Sequence, residues 1–505
     1  MRMRSFDNLV FLFFGIALLF CSGGRIASSD ASSQLEAAVT LVETSRLGRE
    51  RPPEASSKLW VKAPNGLFYQ AHDLGNLVLM LPSVYVSKGI SSLMGGQGGG
   101  FEIGLRRMGV ALSYCLLSTL ASLCFFKLNA LYHSPRIAFL LSLTFVFSTI
   151  FWPYAKTSWD VMACNCTICA VMLFFVKILE SSEERTLDYA LAGLMISIAG
   201  MFRYSMLPSL VLASIAIMSF RKPGLRSLSI FGGVICLGTT PSFLYNLLRT
   251  GNALIPATVS AKFIENKLDG DFLIGFPGLL FAPNRGLFVF APVYLILFTL
   301  PWTWKRLPIT ARRLTLSLGI PTLFYVFLIA KMQNWGAFGW GPRYLVPVLA
   351  ILFFPVGMSL CVLWKNHARI LSALVMVSVI LNLAPVVVNW ASVCVGPAAN
   401  PYVLAPLSHL VTWDTLFKGI QGERIPLRAG VHYTAIQLAG LNFPDLWVAR
   451  LMERSRSNFI LGLALTCTIV FIEFRLLRQL LSRNTTTALS TSIEQRSRLT
   501  QGMRK

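Results

Sequence analysis

The chain has 505 residues, 54% of them hydrophobic and 13% charged, about half the roughly 25% charged residues of a soluble domain. With a mean hydropathy of +0.62, this excludes an ordinary soluble enzyme and predicts an integral membrane protein. The formal charge of +23 does not point to nucleic acid, because the basic residues form short clusters between apolar runs with no aromatic-interleaved basic domain, so they read as topology determinants.

The chain opens on "MRMRSFDNLVFLFFGIALLFC". A basic start and an apolar core also fit a cleaved signal peptide, and a cysteine follows as in lipoproteins, but Phe20 is bulky where cleavage requires a small residue, so an uncleaved first helix is the expectation. About twelve apolar runs of spanning length follow from there. Their cores are Asn8–Cys21, Arg106–Phe126, Ile137–Tyr154, Val161–Val176, Tyr189–Met201, Met206–Phe220, Ser227–Leu247, Gly286–Trp304, Leu314–Ala330, Tyr344–Trp364, Ile370–Trp390 and Phe459–Phe474. The fifth and sixth are short. Basic residues mark every second connection: Arg2 and Arg4, Lys127 and Arg136, Arg221, Lys222 and Arg226, Lys305, Arg306, Arg312 and Arg313, Lys365 and Arg369, and the residues from Arg475 onward. The loop 177–185 is the weak member, since acids offset its bases. The positive-inside rule then places both termini in the cytoplasm and the segments 25–105, 249–285, 331–343 and 391–458 outside.

The predicted architecture is an all-α polytopic membrane protein with a long first outer loop carrying interfacial amphipathic helices. Residues 1–480 form the membrane domain and 481–505 a disordered cytoplasmic tail. In the first outer loop, "IASSDASSQLEAAVTLVE" places Leu35, Ala38, Val39 and Val42 on one helical face, as in a helix lying on the membrane surface. Ser33 and Glu36 have capping-box spacing, and Asp30 just before them reads as an acid favoured by a helix N-terminus. Pro52 and Pro53 break this helix and "APNG" signals a turn. Leu74–Tyr85, about a dozen residues, is too short to span and predicts a second interfacial helix, with "GGQGGG" as a flexible link to the next span.

Two motif-like strings carry little. "CNCTIC", Cys164 to Cys169, puts residues i and i+2 on different helix faces, so it reads as small buried thiols; no disulfide framework is evident among ten cysteines. "DGD", Asp269 to Asp271, matches a metal–nucleotide-sugar pattern but also a plain turn. No zinc-peptidase, P-loop or dinucleotide motif occurs, so no cofactor is required and a divalent metal has no motif behind it.

Several segments together resemble a known family. An acid after the first span, "GLFYQAHDLGNLVLMLP", "FWPYAKTSWD", "YNLLRTGNAL", "GFPGLLFAPNRGLFVFAPV" and "NWGAFGWGPRYLVPVL" occur in order and all fall on the outer side. They are similar to the type C membrane glycosyltransferases, in particular the group of protein O-mannosyltransferases and the lipid A aminoarabinose transferase, over roughly residues 8–390. The resemblance implies an inverting transferase that moves a sugar from a polyprenyl-phosphate donor to a lipid, glycan or protein acceptor at the outer membrane face, and the short basic first helix without a retention signal favours a bacterial plasma (inner) membrane. It implies that Asp30 is the general base. Many members carry two adjacent acids there, whereas position 31 is Ala.

A leaving lipid phosphate calls for outer-face cations, with arginine favoured by its bidentate fork. Arg285, Arg343, Lys156, Arg203 and Arg249 are the candidates; each also fits a snorkelling interfacial cation. Tyr69, His72 and Asp73 are candidates for a sugar or acceptor pocket, or anchors of the short helix. Asp160 is a pocket acid or the N-cap of the fourth span. The outer segment 391–458 is a candidate acceptor-recognition region by its length and side. The alternative function is a transporter or flippase for a polyprenyl-linked sugar, which suits twelve spans but not the lack of an internal repeat or the concentration of polar motifs on one face; a non-catalytic assembly scaffold is the third reading.

Overall fold

A computed structural model describes residues 2–24, 26, 29–95, 99–257, 268–337, 339–388, 390, 407–421, 445–448 and 456–482. The tail from 483, the centre of the "GGQGGG" link and most of 391–458 lie outside the described residues.

Helices dominate. In chain order they are α1 (Arg2–Phe20), α2 (Ser29–Thr44), α3 (Leu74–Leu93), α4 (Gly99–Ala130), α5 (Pro135–Phe147), α6 (Phe151–Ala155), α7 (Asp160–Glu180), α8 (Thr186–Phe202), α9 (Leu207–Arg221), α10 (Leu225–Thr250), α11 (Phe272–Phe281), α12 (Leu287–Phe290), α13 (Leu300–Thr303), α14 (Ile309–Ala330), α15 (Leu349–Val387), α16 (Ser408–Ile420) and α17 (Arg456–Ser482). Among the described residues, seven helices are long and apolar enough to cross a membrane, and four further apolar helices are shorter. The protein is a polytopic all-α membrane protein. Its most enclosed helix is α7, whose 21 residues reach about 32 Å at ~1.5 Å per residue and pack against α4 and α8.

Each predicted apolar run has a counterpart, and the fifth and sixth are separate helices as expected; the third run, Ile137–Tyr154, is divided into α5 and α6, and the eighth, tenth and eleventh also differ in form. The fifth and sixth runs are separate elements, α8 and α9, because Arg203 leaves helical geometry at φ −149° and ψ 94° just before Pro208 near the start of α9. The run Gly286–Trp304 is not one helix: α12, a 3-10 stretch over Pro292–Thr299 and α13 follow one another. Pro292 lacks an N–H, and polar side chains of α15 take up freed backbone groups, since Val293 N–H donates to Ser378 Oγ at 2.8 Å and Asn382 Nδ2 donates to Phe290 O at 2.9 Å. Finally, α15 contains both the tenth and eleventh runs and breaks at His367, where φ is −130° and ψ 21°. Tyr294 meets Leu349 and Thr303 meets Ser359, whereas Val293 meets Ser378 and Phe290 meets Asn382. The chain thus descends past residues 290–303 and returns, with Lys365 and Arg369 flanking the turn.

The first outer loop departs further from expectation. The helix α2 begins at Ser29, so Asp30 lies in its first turn, and Ser33 Oγ donates back to Asp30 O at 2.9 Å instead of capping the helix. Ser33 and Glu36 therefore form no capping box. After Pro52 and Pro53 come two short antiparallel strands, β1 (Trp60–Lys62) and β2 (Phe68–Gln70), an element the sequence reading did not include. The "APNG" turn joins them, with Gly66 at φ +83° where glycine carries no Cβ penalty. The second helix, α3, continues to Leu93 with Pro82 inside it, eight residues beyond its expected end. It is supported on α2 and α4, which offsets the hydrogen bond lost at the proline. A further helix, α11, was not anticipated. Asp271 of "DGD" caps it by accepting from Leu273 N at 2.8 Å, the local role that a short acid before a helix favours.

Candidate active site

The start of α2, the start of α7 and the ends of α8 and α10 meet at one end of the bundle, together with the loop before α3 and the turn at Arg343. Side-chain amides fix them to one another. Asn76 Nδ2 of α3 donates to Gln34 Oε1 of α2 at 2.6 Å and to Ser158 O at 3.2 Å, while Tyr114 Oη of α4 donates to Asn76 Oδ1. Gln70 Nε2 donates to Ser33 Oγ at 3.2 Å and Gln70 Oε1 accepts from His72 N at 2.7 Å. Gly75 permits the closest approach: a Cβ there would lie 2.7 Å from Phe202 N at the end of α8, well inside van der Waals contact. These contacts bring Asp30, His72 and Arg203 to one place.

At the centre, Arg343 Nη2 donates to Asp30 Oδ2 at 2.5 Å, and His72 Nε2 stands 3.7 Å from Asp30 Oδ1. The guanidinium lies over the Trp159 ring at 3.9 Å, a cation–π contact that strengthens as water is excluded. The three side chains retain only 11–18% exposure, so the carboxylate is largely but not wholly buried. Burial alone pushes the Asp30 carboxyl up, but the Arg343 and His72 charges overcome it and hold it below the usual carboxylate range. The same carboxylate raises His72, against burial, which favours the neutral ring.

A second charged pair adjoins the first. Arg203 Nη1 donates to Asp160 Oδ2 at 3.1 Å and Arg203 Nε donates to Tyr325 Oη at 3.3 Å. Its guanidinium also sits 5.0 Å from the ring of Tyr344, next in sequence to Arg343. Asp160 is the first residue of α7 and caps nothing; Trp159 occupies the cap position. This corrects the N-cap reading and leaves Asp160 as an acid of the cluster. On the third side, Asp73 Oδ2 accepts from Tyr204 N at 2.9 Å and Asp73 Oδ1 lies 3.7 Å from Arg249 Nη2; burial, partly offset by Arg249, raises its pKa.

The remaining candidates have other places. Arg249 is 1% exposed, stacks 4.1 Å from Tyr245 and donates from Nη1 to the carbonyls of Gln70, Ala71 and His72 at 3.2, 2.6 and 2.6 Å. It shapes the loop that presents His72. Tyr69 Oη accepts from Asn65 Nδ2 at 2.8 Å and its ring packs with Tyr245, so it belongs to the hairpin. Lys156 Nζ donates to Val386 O, Val388 O and Asp445 Oδ2 at 2.8, 3.3 and 2.9 Å, and Arg285 donates to Ala337 O and Asn284 O at 2.8 and 2.6 Å. Both tie segments distant in sequence together. Cys164, Cys166 and Cys169 are buried in α7, and no group of three or more His, Cys, Asp or Glu able to hold a metal forms among the described residues.

No protein-family model matches the sequence, and no curated protein sequence is significantly similar to it. The structure is similar to ArnT from Cupriavidus metallidurans bound to undecaprenyl phosphate, with a TM-score of 0.52 and 14% identity over 93% of this chain and 77% of that one. The apo state of the same protein gives 0.50 and 12% over 94% and 72%. The chain has the fold of the type C membrane glycosyltransferases that its outer motifs resemble.

Proposed function

We propose that this chain is an inverting glycosyltransferase that takes a sugar from a polyprenyl-phosphate donor and passes it to a lipid, glycan or protein acceptor at the outer face of the plasma membrane, both termini being cytoplasmic. Asp30 takes the proton of the acceptor as the acceptor attacks the anomeric carbon. The bond from that carbon to the phosphate oxygen breaks, and the polyprenyl phosphate leaves with the electron pair. Arg343 stabilises the charge developing on the phosphate, a role suited to a guanidinium in a water-poor site. Asp160, held by Arg203, supplies the second carboxylate of the site. Ala31, where a second acid often stands in the resembling family, is fully buried against the core.

One observation carries the reading: a partly accessible carboxylate is held between an arginine and a histidine, in a fold shared with a protein found with undecaprenyl phosphate bound. The charged cluster gathered at one end of the bundle also favours an enzyme over a flippase. The test is transfer of labelled sugar to membrane-extracted acceptors in detergent, from a panel of undecaprenyl-phosphate hexoses and pentoses. Wild type should transfer at least one of them. Asp30→Asn should lose on the order of 10²–10⁴-fold in rate, the usual worth of a general base, while remaining folded; near-normal turnover by that variant would remove Asp30 from the chemistry.

A further inference from the structure

The Asp30 carboxylate is engaged at Oδ2 by the Arg343 hydrogen bond, while His72 Nε2 stands 3.7 Å from Oδ1, beyond hydrogen-bond distance. A base held in this way is poor at taking a proton, so something must loosen the pair before transfer. The arrangement of Arg343 shows how. A guanidinium offers its Nε and Nη2 hydrogens side by side along one edge, a fork that fits two oxygens of one anion. Asp30 occupies Nη2, and Nε is buried with no hydrogen-bond partner. Phosphate therefore has two bonds to offer along an edge where the carboxylate makes one.

The support beneath Arg343 suits an exchange of partners. The Trp159 ring at 3.9 Å attracts the cation without fixing hydrogen-bond direction, so the guanidinium can slide across it at small cost. Arg203, by contrast, is fixed from two sides by Asp160 and Tyr325. The charged and titratable groups around the pair are His72 and Asp73 before α3, Asp160 at the start of α7, Arg203 after α8, and Tyr344. None of the described hydrogen bonds of these groups reaches Arg343 Nε.

We propose that the Arg343–Asp30 ion pair is a donor-operated latch: the phosphate of the polyprenyl-linked donor draws Arg343 off Asp30 and so frees that carboxylate to act as base. The inference rests on the reading of the site given above and adds an order to it, since the base is armed only when a donor is in place. Acceptor molecules or water entering an empty site meet a carboxylate still bound to arginine.

The test is binding of undecaprenyl phosphate, which carries no sugar and cannot turn over, to the purified full-length protein, followed by tryptophan fluorescence or native mass spectrometry. Arg343→Gln should weaken binding about tenfold or more. Asp30→Asn, and Asp30→Ser as a second variant, should tighten it several-fold because the competing carboxylate is gone. Glu36→Gln, which removes an acid from the same helix, should leave it unchanged. Weaker binding by Arg343→Gln without tightening by either Asp30 variant overturns the latch and keeps the phosphate site. Equal tightening by Glu36→Gln also overturns it, as a general effect of charge. Unchanged binding by Arg343→Gln overturns the assignment of Arg343 to the phosphate, and the latch with it.

Discussion

Asp30 and His72 stabilise each other with opposite pH signs. The Asp30 carboxyl is lowered from its ordinary 3.8, so its contribution is present above about pH 4 and is lost as pH falls toward the folded-state value. The His72 ring is raised from 6.5, so its contribution is complete below that pH and is lost as pH rises through the raised value. The difference in Tm between wild type and His72→Gln should therefore shrink as pH is raised from about 6 into the alkaline range, and a constant difference would show that the ring is not protonated beside Asp30. The sequence made Asp30 and Arg343 candidates separately, yet their pairing spans 313 positions and no local spacing reveals it. Trp159 is not marked out by sequence although it precedes Asp160 in "TSWD". An aromatic at a span's outer end is usual for membrane proteins, and nothing local marks one that carries a guanidinium. Lys156 and Arg249 were legible as outer cations, but not as cations bound to backbone carbonyls, because those carbonyls come from distant loops.

The elements place these side chains through close contacts that tolerate little change. Gly75 opens α3 against the end of α8, and Gly75→Ala would drive its Cβ into Phe202 and Met201. Overpacking of this kind costs about 1–3 kcal/mol, so the variant should melt several degrees lower in a detergent thermal-shift assay; an unchanged Tm would mean that α3 moves away easily. Proline shows the limits of local reading. Pro82 lies within the expected helix Leu74–Tyr85, yet α3 runs on to Leu93 because α2 and α4 support it. At Pro292 an apparently continuous apolar run is broken, because Ser378 and Asn382 can satisfy the freed backbone. The hairpin was legible only at its turn: strands of three residues are too short for alternation to register.

At the scale of the whole molecule, the apolar runs and basic connections carried most of the architecture. Hydrocarbon thickness sets run length and charge resists translocation, and both act on local sequence. The turn at His367 between Lys365 and Arg369 is an instance. Orientation is open to direct measurement. In a background without native cysteines, a cysteine at Arg51 should react with a membrane-impermeant maleimide on intact cells, and one at Arg306 only after permeabilisation; the reverse would place Asp30 in the cytoplasm. Segments far apart in sequence are also joined in depth, through Lys156 and Asp445, whose side chains are 3% and 2% exposed. Removing one partner of a buried ion pair costs about 3–5 kcal/mol, so Asp445→Asn should lower Tm markedly, and near-wild-type melting would show that the 445–448 segment is dispensable to the fold.

The central claim is that Asp30 is the base for transfer from a lipid-phosphate donor, and it is tested most directly by mass spectrometry of the lipids that co-purify with Asp30→Asn. A site that binds donor but has lost its base should retain the donor intact, so the account predicts a polyprenyl phosphate still carrying its sugar, in near-equal amount to protein. Co-purification of phospholipid alone, with no polyprenyl-linked sugar, would contradict it.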